Sequence, residues 1–466
     1  MKRGIRALPL VFCVVVLCLA ATRRRASYPP PAPIQLDARR SFAVTDIAIL
    51  DGFPFERVMT ALTAGTTTSP VQLYQQWLDT FNAKPGFAAP DGPHCNDFMT
   101  DGSPSFNNFP RRCPTPEGLF AKDQPFTPAQ FIPIGIINRF DLTPLDGSNC
   151  GQYRLIYARK FATMDFFHII FEAVLPNPNP SMGVAGCRPI AEFWAGLSAT
   201  SSISDRRAKL EAFFFQGLPG VSPVVRAENY NAPGGIRTNQ DTGGVGGRMY
   251  QFRAVKNCGD AGCQIVMKPD VLENMIYGPL LDAHVTTLLA QQFRDDFVKQ
   301  VATLAVPDVN EFFHNTAPQY LMAESNPDDK NAFFILDAPF SKGLTTPEGQ
   351  AFSARIAAEL TRIGSTLTPA QIVARADTLT CIGCHLGGRP LGEGVIFPFG
   401  GRGLQQMDEH QLDIGEDGTL SRFKTSPAMD TFIIHRMKVL HDFLANGSVA
   451  THSEAVGTIG GGRSVQ

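Results

Sequence analysis

The order of apolar and polar positions divides the chain into stretches of helical and of strand periodicity. Residues 71–81 carry apolar side chains at helical spacing and predict a short helix. Residues 91–116 are dense in Gly, Pro, Asn and Asp and predict a long loop. Three strand-like stretches follow. Residues 131–140 contain an apolar run, 151–159 alternate, and 167–175 are apolar and β-branched, which predicts three strands of one sheet. Helices are expected at 191–198 and 204–216, the second with Asp205 near its start and Gly217 near its stop. Residues 220–270 return to strands. Within them 250–256 alternate, Gly259-Asp260-Ala261-Gly262 is turn chemistry, and 264–267 resume a strand, so a hairpin is predicted. Residues 280–304 read as one helix with Leu288, Leu289, Phe293 and Phe297 along one face.

The texture changes near residue 340. Residues 341–347 resemble a short linker, 350–363 a helix, and Thr368 caps a shorter helix through 376. Glycine-rich loops precede a final helix over 430–444, and 457–466 form a polar, glycine-rich tail. The expected architecture is an α+β domain with an antiparallel sheet over 35–335, followed by a mainly α-helical domain over 340–452. A linker this short predicts that the two parts dock against each other.

Composition adds the compartment. Lys2, Arg3 and Arg6 precede an apolar run over 7–21, and Cys18-Leu19-Ala20 predicts a signal peptide over 1–20 with cleavage after Ala20. Residues 21–34 follow as a proline-rich spacer, with Arg23, Arg24 and Arg25 leaving an uncleaved membrane anchor as the alternative. Of 466 residues, 44% are hydrophobic and 18% charged, as in a globular protein. The net charge of −2 and the lack of a long basic run in the body argue against a nucleic-acid partner. Eight cysteines lie beyond residue 20, an even number that suits cross-links in an exported chain. Cys258 and Cys263 flank the predicted hairpin turn, close enough to bridge. Proximity along the chain favours Cys95–Cys113 and Cys150–Cys187, although the sequence alone leaves that pairing open.

One motif carries chemistry: Cys381-Ile382-Gly383-Cys384-His385. On a helical turn, cysteines at i and i+3 lie side by side, where both thiols reach the two vinyl groups of one porphyrin. His385 projects from the same face toward the iron, and Gly383 keeps bulk from the porphyrin edge. A zinc site would need four ligands, and no second Cys-x-x-Cys supplies them. With a helix before the motif, Gly/Pro loops after it and a terminal helix, residues 340–450 resemble a single-haem c-type cytochrome domain. The resemblance implies one covalent haem c on Cys381 and Cys384, with His385 as proximal ligand and a methionine before the last helix as sixth ligand. Met429, 44 residues after His385, fits that pattern best, with Met407, Met437, His410, His435 and His441 as alternatives. The family's proline carbonyl that accepts a hydrogen bond from the proximal histidine would come from Pro398 or Pro390.

Weaker constellations read as structural. Gly243-Gly244-Val245-Gly246-Gly247 precedes a strand instead of opening a helix, which phosphate binding requires. Asp413, Gly415, Glu416 and Asp417 hint at a calcium loop, but Lys424 stands where its bidentate Glu belongs. Arg139 and Asp141 read as a strand-end ion pair, and His168 and His314 as core histidines. The expected function is single-electron transfer with a redox partner protein or a small donor or acceptor. The alternatives are a peroxidase-like haem oxidoreductase and a non-redox secreted binding protein.

Overall fold

The structure, a computed structural model, describes residues 35–124, 126, 130–161, 165–242, 247–273, 276–325, 344, 346–379, 407, 409–427, 429–447 and 449. The chain from Gln35 onward forms one compact unit. The expected signal peptide, spacer and tail lie outside the described residues.

The strands in chain order are β1 (Ala43–Val44), β2 (Met99–Thr100), β3 (Ser103–Phe106), β4 (Phe109–Pro110), β5 (Phe131–Arg139), β6 (Asn149–Arg159), β7 (Phe166–Pro176), β8 (Gly235–Asp241), β9 (Arg248–Gly259), β10 (Gly262–Asp270), β11 (Leu412–Ile414) and β12 (Leu420–Phe423). A seven-stranded sheet runs β1-β5-β6-β7-β8-β9-β10, with every pair antiparallel. The three strands expected over 131–175 are its centre. No strand forms over 220–234, where a short 3-10 helix, Ala227–Tyr230, interrupts the chain.

Alternation writes two layers onto the sheet. Tyr153, Leu155, Tyr157, Phe171, Ile236 and Phe252 point to one face and are buried. Helix Pro70–Asp79 covers part of that face. Ser69 and Gln72 form its capping box, Pro70 opens its first turn, and Leu73, Tyr74, Trp77 and Leu78 make one buried stripe. Trp77 meets Phe252 edge-on at 5.7 Å, and Trp194 of helix Arg188–Ser198 stacks on Tyr153 at 5.6 Å. Each large side chain buried here contributes about 1.5–3 kcal/mol over leaving it in water.

The expected succession of an α+β domain and a separate mainly α-helical, cytochrome c-like domain is overturned: helices are scattered along the chain around the large antiparallel sheet. A second hydrophobic cluster joins Phe293, Phe297 and Leu304 to Phe352, Ile356 and Ile372. The final helix, Met429–Asn446, sends Phe432 into this cluster, while Ile433, Leu440 and Phe443 join the core of the sheet. Phe443 sits 4.9 Å from Phe140 at the end of β5. Amphipathic spacing shows that a helix buries one face; it does not say against which element.

The helix expected over 280–304 is broken into Gly278–Leu281, Leu288–Lys299 and Val301–Leu304. Thr287 caps the middle segment, and the buried Arg294 donates to the carbonyls of Leu280, Asp282 and Val285, which satisfies the interruption. The loop over 91–116 contains the small sheet β2-β3-β4. Three disulfides form: Cys95–Cys113, Cys150–Cys187 and Cys258–Cys263. The last joins directly paired positions of β9 and β10. These cross-links suit an exported chain. Among the described residues no helix is long and apolar enough to cross a membrane.

Candidate functional site

Cys381, Cys384, His385, Pro390 and Pro398 lie outside the described residues; the structure describes the elements on either side of them. On the N-terminal side stands helix Pro369–Asp377. Thr368 and Gln371 form its capping box, Pro369 begins it, and Ile372, Val373 and Ala376 bury one face. Arg375 is fully buried. Its Nη1 donates to the carbonyls of Leu304 and Val306, each at 2.8 Å, and its guanidinium lies 5.0 Å from the Phe312 ring. Leu379, two residues before the first motif cysteine, is buried in the second cluster. On the C-terminal side Met407 packs over β5. A Cβ at Gly135 would stand 3.1 Å from the Met407 methyl, so a residue without a side chain admits it.

The sixth-ligand candidates have different surroundings. Met429 is the first residue of the final helix, half-buried, and touches both hydrophobic clusters. Its sulfur is a soft donor at their seam, which fits haem iron. Met437 packs on the core of the sheet. His435 lies 3.5 Å from Asp308. The hydrogen bond from His435, with further bonds from Asn310, brings Asp308 down to about 2 against the cost of burial. His410 and His441 are exposed, beside Glu409 and Asp442. Among the described residues no group of three or more His, Cys, Asp or Glu side chains is arranged to hold a metal ion.

The six cysteines of the disulfides are paired with one another, so Cys381 and Cys384 share no bond with them. The motif is the pair left over among the eight cysteines beyond residue 20.

The ion pair of Arg139 and Asp141 belongs to a larger polar layer on the second face of the sheet. Arg139 Nη2 lies 2.9 Å from Asp141, and Arg436 of the final helix approaches the same carboxylate at 3.9 Å. On β6, Arg154 faces Glu172 of β7 at 3.1 Å, and Glu172 also meets Arg237 of β8 at 3.1 Å. Arg253 of β9 pairs with Asp270 and Glu273. Burial pulls Arg154 down to about 10, with Glu172 acting against it. Burial, reinforced by Arg139, holds Arg436 well below the usual guanidinium range. Burial alone would raise Asp141, but Arg139 and Arg436 outweigh it and hold the carboxyl low. Reading residues singly misses this layer. The available signal was an arginine at outward parity on β5, β6, β8 and β9, which becomes a row only once strand order is known.

The other constellations stay structural. Asp417 accepts from the Thr419 backbone N–H and from the Thr419 and Ser421 hydroxyls, closing the β11–β12 turn. Glu416 pins that hairpin to Arg40 at 2.8 Å and to Arg206 at 3.0 Å. His168 stacks on Phe166 and lies 4.0 Å from Glu409. His314 sits between Phe293 and Phe297, where burial lowers it to about 4. Residues 243–246 of the glycine-rich stretch lie outside the described residues. A cavity of about 510 Å³ opens beside β5, lined by Phe55, Phe131, Pro133 and Glu409 among others. No protein-family model, curated protein or solved structure matches the chain.

Proposed function

We propose that the protein is exported by residues 1–20 and carries one covalent haem c for single-electron transfer. The observation that carries this reading is the Cys381-x-x-Cys384-His385 motif in a chain whose other six exported cysteines are consumed by three disulfides. Cys381 and Cys384 would supply the two thiols that hold the haem, and His385 and Met429 would offer an imidazole and a thioether to its iron. Bound haem supplies a one-electron couple at its iron. The chain holds its own ligands in place. Arg375 locks the helix that leads into the motif, and the packing of the final helix on both clusters orients Met429. A haem held by both His385 and Met429 would suit exchange of electrons with a redox partner protein or a small donor or acceptor more than chemistry on a bound substrate.

The test is a pyridine haemochrome spectrum of protein matured in a periplasm competent for haem c attachment. One covalent haem per chain is expected, lost in Cys381→Ala/Cys384→Ala; absence of covalent haem overturns the reading. In the haem-containing protein, Met429→Ala is expected to strengthen ferric cyanide binding at least tenfold. An unchanged affinity would move the sixth ligand to another residue.

A further inference from the structure

The cavity of about 510 Å³ beside β5 lies where the helices Ile47–Leu50 and Phe55–Leu62 face the edge of the large sheet and the β11–β12 hairpin. The edge strand β1 pairs with Ile136 and Ile137 and stops short of Phe131, Ile132 and Pro133, which therefore line the opening. Clefts that hold small ligands measure about 300–1,000 Å³, are mainly apolar and carry a few polar groups. The buried wall here is made by Leu50, Phe55, Phe131 and Phe423. Phe55 and Phe131 stack at 4.8 Å, so this wall is already formed in the absence of a ligand. Leu412, 37% exposed, carries the apolar lining out to the surface.

The charged groups of the lining stand at its mouth. Asp51 follows helix Ile47–Leu50, Glu56 lies in the first turn of helix Phe55–Leu62, and Lys160 follows β6. All three are exposed, and among the described residues none of them is in an ion pair. Glu409 also lines the cavity but already lies beside His168 at 4.0 Å and His410 at 3.6 Å. The charge on offer to a ligand therefore comes from two carboxylates and one ammonium, an excess of negative charge at the entrance to an apolar cavity.

We infer that this cavity binds a small organic cation with an apolar body, of the kind a protonated arylalkyl amine represents. The body leaves water for the wall of phenylalanines, which supplies the larger share of the affinity. The ammonium stays at the mouth beside Asp51 and Glu56, where it keeps part of its hydration and gains a counter-charge. An anion of the same shape would be repelled by those carboxylates, and a neutral molecule would gain the apolar part alone. None of these residues belongs to the Cys-x-x-Cys-His motif, so the inference stands independently of the haem reading.

Calorimetric titration of the full-length protein as isolated, at neutral pH and constant ionic strength, tests the site. The probes are 2-phenylethylamine, 2-phenylethanol and phenylacetate, which share a ring and differ in charge. The amine is expected to bind about fivefold tighter than either of the others, and Asp51→Asn/Glu56→Gln to remove that preference. Both substitutions keep the side-chain shape at exposed positions, so the fold should survive them. Equal affinities, a preference for phenylacetate, or no binding of the amine overturns the inference. An unchanged preference in the double variant also overturns it, because the amine would then be held elsewhere. Methyl NMR spectra of the unsubstituted protein locate the ligand without any variant. Shifts at Leu50, Ile132 and Leu412 on adding the amine are expected, and shifts confined to other methyl groups overturn the site.

Discussion

The two faces of the central sheet are built from the same strands, one residue out of phase. Phe171 and Glu172 are neighbours on β7, both buried, and they live in opposite environments. Phe171 meets Tyr157, Trp77 and Tyr230 edge-on, in a layer where each contact is non-directional and any well-shaped apolar side chain would serve. Glu172 meets Arg154 and Arg237, in a layer where each group depends on a particular partner of opposite charge. An apolar layer needs no partners of that kind. The arginine layer has lost the hydration of several guanidiniums and carboxylates, and replacing such groups by apolar ones is often neutral or stabilising. Stability alone therefore explains the aromatic face well and the arginine face poorly.

The sharpest way to break the contrast is to substitute the adjacent residues. Phe171→Ala removes a ring from a packed layer and is expected to lower unfolding stability by about 3–5 kcal/mol, the largest effect predicted here. Urea denaturation would show a lower midpoint. Glu172→Gln keeps the shape and removes the charge between Arg154 and Arg237. A loss of about 2–3 kcal/mol is expected, because two guanidiniums then lack their shared counter-charge. No loss for Glu172→Gln would erase the dependence on charged partners that distinguishes the second face.

Much of the scaffold was legible because its signals are local. Thr368 lies where the structure starts a helix, and the alternation within 151–159 and the apolar, β-branched run over 167–175 mark β6 and β7. Cys258 and Cys263 could be paired in advance because a tight turn alone brings them together. The expectation of a C-terminal, mainly α-helical cytochrome c-like fold failed for the complementary reason. Phe432 and Ile433 are adjacent on one helix yet enter different hydrophobic clusters, and no local pattern encodes that. The arginine layer was hidden in the same way. Arg139 and Arg237 are about a hundred positions apart in the chain, and they share a face only because β6 and β7 lie between their strands. The Cys-x-x-Cys-His motif is the reverse case, a proposed site read from chemistry and spacing alone, while the structure describes only the elements that flank it.

A titratable group among the aromatic rings of the second hydrophobic cluster and one in the arginine layer give the finest comparison of apolar with charged surroundings, through pH. His314 lies against Phe293 and Phe297, with Nδ1 3.1 Å from the Thr316 hydroxyl. Burial favours its neutral ring and lowers it to about 4, while Asp296 acts weakly in the other direction. The unfolded chain ionises this ring near 6.5, so below that pH the unfolded state takes up the proton more readily. The stability His314 contributes is full above about pH 6.5, declines as pH falls, and levels off below about 4, a loss of about 2 kcal/mol between pH 7 and pH 5. Asp141 is also held low, but by Arg139 and Arg436, so its contribution is full above the ordinary carboxylate value near 4 and is lost only in stronger acid. The aromatic surroundings thus produce an acid-sensitive step in the range where the arginine layer is still intact. His314→Gln removes the titrating ring and is expected to reduce the pH 7 to pH 5 loss by about 2 kcal/mol, measured by urea denaturation of both proteins at both pH values. The subtraction cancels any protons taken up by His385 or other groups common to the two proteins. An identical loss in both would place the step elsewhere and leave His314 as a packed ring that does not titrate in this range.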